Sequence, residues 1–146
     1  PETLFLADAF LSRAFPKANF LRSNTENVDQ ILSDQNKLIN YDIALISPSK
    51  INNLALNSVD LAINTASLGE MSRKTQEYYS NIINTKVRGM FYSVNRYGTN
   101  KLKHTDCPGI SEFNLDKFWS PLYVNSTHTY HFEQALFRSK WSLNNK

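Results

Sequence analysis

Cysteine is almost absent from this chain. Cys107 stands alone among 146 residues, so no disulfide can close within it, and that usage fits a reducing, cytoplasmic compartment. Glycine is scarce too. The four are Gly69, Gly89, Gly98 and Gly109, and no two stand at the G-x-G spacing of a glycine-rich phosphate cradle. Long apolar runs are missing: none approaches the ~18 residues of a membrane span. No charged-then-apolar leader opens the sequence. Charge of one sign is not concentrated. Sixteen Lys and Arg against thirteen Asp and Glu give a net charge of +3 and a pI near 9.0. The basic residues are spread out and do not interleave with aromatics, so a nucleic-acid partner is not expected. The densest patch, Lys101-Leu102-Lys103-His104, reads as a solvated loop.

What remains is the composition of a globular protein, 41% hydrophobic and 20% charged, and residues 1–146 read as one domain. Pro1 to Phe15 reads as a helix with Leu4, Ala7, Leu11, Ala14 and Phe15 on one face. Phe5, Leu6 and Phe10 widen that face, which predicts packing on two sides. Pro16 ends it. Ala18 to Arg22 is a short strand, and Asn24 or Thr25 caps a brief helix through Val28, Ile31 and Leu32. Tyr41 to Ser47 is an apolar strand broken by Pro48, followed by a turn through Ile51 and Leu54.

The segment from Val59 to Gly98 reads as strand, polar turn, helix, strand. Val59 to Ala66 is apolar enough for a parallel strand covered on both faces. Glu70 to Thr85 is an amphipathic helix with Met71, Thr75, Tyr78, Tyr79, Ile82 and Ile83 inward and Gln76 and Ser80 among those facing water. Gly89 to Asn95 is the next strand. Tyr41–Ser47, Val59–Ala66 and Gly89–Asn95 are expected as neighbouring parallel strands of one sheet. Residues 99–117 form a loop, and Phe118–Asn125 and Thr127–Trp141 read as a terminal antiparallel pair.

In open α/β sheets ligands gather beyond the carboxyl ends of the strands. That places Ser47 and Pro48 at the end of one strand, Asn64, Thr65 and Ser67 at the end of the next, and Asn95 and Arg96 at the end of the third. Ser67 with Glu70 three residues on also spells a capping box. Glu70 is therefore either a capping carboxylate or a base for an acceptor hydroxyl. Arg96 pairs with an anionic group on an acceptor or with a surface carboxylate. His128, His131 and Glu133 form H-x-x-H-x-E, but on a strand the two histidines point to opposite faces. No metal site is expected, and His131 or His128 is a second candidate base.

The turn Asn64-Thr65-Ala66-Ser67-Leu68-Gly69-Glu70-Met71, the strand end Tyr92-Ser93-Val94-Asn95-Arg96 and the opening Pro1-Glu2-Thr3-Leu4 together resemble the sugar O-methyltransferases, a branch of the class I S-adenosylmethionine-dependent methyltransferases. The resemblance implies an α/β, Rossmann-like sheet, mostly parallel with a C-terminal antiparallel pair, here without its first two strands. It implies S-adenosylmethionine as methyl donor, held by Ser47, Pro48, Asn64, Thr65 and Ser67. It implies a sugar or other small hydroxylated acceptor near Asn95 and Arg96, and a catalytic base at Glu70 or His131. The family's glycine-rich turn and ribose-binding acid have no counterpart here, so donor binding by this chain is expected to be weak. Bared sheet edges also predict self-association. A binding or scaffold role is the alternative function, and a nucleotide-sugar enzyme of another reaction class is a third.

Overall fold

The structure, a computed structural model, describes residues 2–95, 113–126 and 132–138. The chain divides into two compact units, Pro1–Ala55 and Leu56–Lys146.

The first unit opens with helix α1, Glu2–Ala14, which stops two residues before Pro16. Leu4, Ala7 and Leu11 are half-buried, whereas Phe5, Leu6 and Phe10 are exposed. The widened apolar face is thus packed on one side only; the expected second side is open to solvent. Strand β1, Phe20–Arg22, follows, then helix α2, Val28–Leu32. Neither Asn24 nor Thr25 caps α2. Thr25 Oγ1 accepts instead from the Arg22 N–H at 3.0 Å, and Asn27 precedes the helix in the left-handed region with φ 56°, a conformation asparagine tolerates. Helix α3, Gln35–Leu38, leads to strand β2, Ile43–Leu45. β1 and β2 pair in parallel, Phe20 opposite Ile43. Leu21, Val28 and Leu32 are buried as this unit's core.

β2 is where the sequence-based layout needs correction. It belongs to a two-stranded sheet with β1, separate from the sheet of the second unit. An apolar run identifies a strand but not its partner, because the hydrogen-bonding groups lie on the backbone and not in the side-chain pattern.

The second unit holds strand β3, Val59–Thr65, helix α4, Arg73–Lys86, strand β4, Val87–Asn95, and strands β5, Trp119–Ser126, and β6, Phe132–Arg138. The sheet order is β3-β4-β6-β5. β3 and β4 are parallel and joined by α4, a βαβ unit as expected. β6 runs antiparallel to both β4 and β5, so the terminal antiparallel pair is present and its later strand inserts between β4 and β5. The result is a mixed α/β protein with short parallel sheets, and no helix among the described residues is long and apolar enough to cross a membrane.

Leu68, Ile83, Val87, Phe91, Phe113 and Trp119 are buried together as the core of this unit. The Phe91 ring meets Trp119 edge-on, centroids 6.4 Å apart, a favourable aromatic geometry. Among the described residues of this unit, β3 is not covered on both faces. Leu61 and Ile63 are exposed, as is Met90, which pairs with Leu61 across the ladder. The apolar run reflects strand composition; α4 and the core cover only one side of it.

Gly89 sits where β4 crosses close to β3. A Cβ there would land on the carbonyl oxygen of Asp60, at the point where the pairing register shifts between Val59 and Leu61. Only glycine permits that approach.

Candidate functional site

The parallel β3–α4–β4 unit brings the ends of β3 and β4 side by side, Thr65 opposite Val94. The turn after β3 is built on an unusual residue. Ala66 has φ 51°, in the left-handed region that costs an alanine roughly 1–2 kcal/mol. Its N–H donates to the Val94 carbonyl at 2.7 Å, extending the ladder into the turn. Leu68–Glu70 then forms a single 3-10 turn.

The long helix begins later than Glu70. Ser72 caps it, its hydroxyl accepting from the Thr75 N–H at 3.4 Å. The Ser67–Glu70 capping box therefore does not form. Ser67 makes no cap hydrogen bond and instead accepts from Asn64 Nδ2 at 2.6 Å. A serine three residues before a glutamate marks a helix start only where the helix begins between them, and here a short turn intervenes.

Three buried side chains converge on this turn. Asn95, 1% exposed, donates through Nδ2 to Asn64 Oδ1 at 3.0 Å and to Ser93 Oγ at 2.7 Å. Its Oδ1 accepts from the Gly69 N–H at 3.3 Å. Asn64 Oδ1 also accepts from the Leu68 N–H at 3.2 Å. From α4, Gln76, 4% exposed, donates Nε2 to the Leu68 carbonyl at 2.7 Å. Ser93 completes the set, fully buried beneath Asn95.

Asn95, assigned to the acceptor on sequence grounds, thus spends its amide inside the protein. Asn64 and Ser67, assigned to the methyl donor, bond to each other. Thr65 and Glu70 stand exposed at the strand end and on the turn. Gln76 and Ser80 are buried, not solvent-facing as their polarity predicts. Sequence reasoning missed Gln76 because a polar helical residue normally faces water. The signal that would have found it is a turn whose buried carbonyl lies one helical face away. Met71, read as a core residue, does pack against the core, and so does Tyr79.

In the first unit, Ser47 and Pro48 follow β2. The Ser47 N–H donates to Ser23 Oγ at 2.7 Å, and its hydroxyl shares a hydrogen bond with Ser49. Pro48 opens the 3-10 turn Pro48–Asn53. A cleft of about 200 Å³ lies at the same end of β1, lined by Phe5, Asp8, Arg22 and Ser23 among others. The Arg22 guanidinium spans both Asp8 oxygens at 2.8 Å, and that hydrogen bonding holds the Asp8 carboxyl below the usual carboxylate range.

Arg96, His131 and His128 lie outside the described residues, as do Cys107 and the basic patch at Lys101–His104. Among the described residues no group of three or more His, Cys, Asp or Glu is placed to hold a metal ion. Of the residues named for S-adenosylmethionine, Asn64 and Ser67 bond to each other and Asn64 to Asn95 within the turn, while Thr65 stands exposed. Set against family models, curated proteins and solved structures, the chain matches none.

Proposed function

We propose that the protein takes part in S-adenosylmethionine-dependent O-methyl transfer to a hydroxyl of a sugar or similar small acceptor. The observation that carries the reading is the meeting of two segments at one strand end. Asn64–Met71 and Tyr92–Asn95, which carry most of the family resemblance, are joined there by the Asn95–Asn64 hydrogen bond. That end of a parallel βαβ unit is where α/β enzymes bind small molecules. The reading gives the exposed side chains of this turn, Thr65 and Glu70, to the acceptor. Glu70 takes the proton from the acceptor hydroxyl onto its carboxylate, and Thr65 offers a hydroxyl to orient the same group.

A second reading, a binding or scaffold domain without chemistry, is favoured by one observation. Asn64, Ser67 and Asn95 satisfy one another, as residues of a purely structural turn would.

The two separate in one assay. The protein is incubated with donor carrying an isotopically labelled methyl group and a panel of sugars, and the label in the acceptor is counted. Wild type is expected to transfer, and Glu70→Gln to lose about 10²-fold of that rate, the usual contribution of a general base. Glu70→Gln is also expected to melt near the wild-type temperature, since glutamine keeps the side chain's size and an oxygen that accepts hydrogen bonds. Retention of activity within a few-fold would move the base to His131 or His128. A wild type that labels no acceptor favours the scaffold.

A further inference from the structure

We propose that Asn95 and Gln76 are positioning residues, two buried amides that hold the β3–α4 turn in the one conformation that sets Thr65 and Glu70 at the strand end. The inference rests on the reading that this turn meets the acceptor.

The argument begins with backbone groups. A chain leaving a strand for a helix carries N–H and C=O groups that neither ladder nor helix satisfies. At Leu68 and Gly69 those groups are buried, so water is not there to serve them, and an unpaired buried group is costly. The Gly69 N–H goes to Asn95 Oδ1 and the Leu68 carbonyl to Gln76 Nε2. The two amides come from different elements. Asn95 stands on β4 and Gln76 on α4, so the turn is tied to both walls of the βαβ unit.

Asn95 is itself anchored. Ser93 accepts from it on one side and Asn64 on the other, which leaves its amide a single orientation. Such a network, fully satisfied, selects one conformation among several of similar packing quality. The turn needs the restraint, because left-handed Ala66 relaxes toward ordinary backbone when nothing over-determines it. Neither amide is exposed enough to touch an acceptor, being 1% and 4% exposed. Any influence on transfer runs through the turn they hold.

The test pairs hydrogen exchange with kinetics on the wild-type protein, Asn95→Ala and Gln76→Met. Exchange at residues 66–70 is expected to rise about tenfold or more in each variant, with β4 residues 88–92 within about twofold of wild type. The transfer kcat is expected to fall ~10–100-fold, since a catalytic group displaced by about 1 Å loses rate on that scale. The KM for the acceptor should move less than about threefold, because the binding surface remains. A merely structural role would raise exchange throughout the unit and leave kcat per folded molecule untouched. If Asn95→Ala does not fold, Gln76→Met, which keeps side-chain length and helix propensity, carries the test alone. Unchanged exchange at 66–70, or raised exchange with kcat intact, overturns the role while the functional reading stands. A wild type without transfer overturns the functional reading and this role with it.

Discussion

Ala66 is the residue at which the candidate site departs from ordinary backbone. Its φ of 51° follows the last residue of β3, and nothing in the string Asn64-Thr65-Ala66-Ser67 announces it. Left-handed positions usually carry glycine or asparagine, as at Asn27 and Asn57. Here the tertiary hydrogen bonds hold an alanine there. A β-branched residue is expected to fit far worse, because its second γ-atom crowds the carbonyl. Ala66→Val should destabilise the second unit by about 1–3 kcal/mol. Ala66→Gly should stay within about 1 kcal/mol of wild type, relief of strain offsetting the looser unfolded chain. Urea unfolding of both variants is the check, and equal stability of valine and glycine would mean the turn is not left-handed in solution. Residue-level legibility was uneven. Asn64, Thr65 and Ser67 were singled out from their place where a strand ends, but the sequence did not show that the Asn95 amide is buried against the turn. Its burial and its bond to Gly69 join positions 26 apart in the chain.

Elements were easier to read than their surroundings. α4 and the pair β3 and β4 were legible because two apolar runs flank a segment of 3.6-residue periodicity along Val59–Asn95. The two faces of β3 were not distinguishable, since Leu61, Ala62 and Ile63 are apolar in succession. The structure places Phe91 in the core, against Trp119 and Phe113, and leaves Ile63 64% exposed. Phe91→Ala is accordingly expected to cost ~3–5 kcal/mol, the range for emptying an aromatic core site, and Ile63→Ala less than about 1 kcal/mol. Denaturant midpoints of the two variants decide it. If Ile63→Ala is as damaging as Phe91→Ala, this face of the sheet is covered in solution. The loop before β5 also matters to this element. Asn84 of α4 accepts from the Asp116 N–H and from Trp119 Nε1, at 3.2 and 3.0 Å, and so ties the approach to β5 to the crossover helix.

Across the whole molecule, each unit carries its own core and its own carboxylate pairs. Asp8 with Arg22 and Asp29 with Lys50 lie in the first unit, Asp60 with Arg88 in the second. In all three the hydrogen bond from the basic partner holds the carboxyl below its ordinary value. A carboxyl depressed in the folded state contributes stability that is present above its unfolded value, near ~3.9 for Asp, and lost as pH falls through the folded value. The protein should therefore keep its melting temperature down to about pH 5 and lose it progressively below about pH 4. Replacing Asp8, Asp29 and Asp60 by asparagine should flatten that acid limb without steepening it elsewhere; an unchanged limb would assign acid sensitivity to other groups. The sequence by itself determined the α/β class, most strand and helix positions and the terminal antiparallel pair, because these follow from apolar runs and side-chain periodicity along neighbouring residues. Only the tertiary structure decided that β2 pairs with β1, that Leu61 and Ile63 of β3 are exposed, and that Asn95 and Gln76 bond to the turn. Those outcomes depend on which backbone groups lose water when distant segments meet, and no local pattern encodes that.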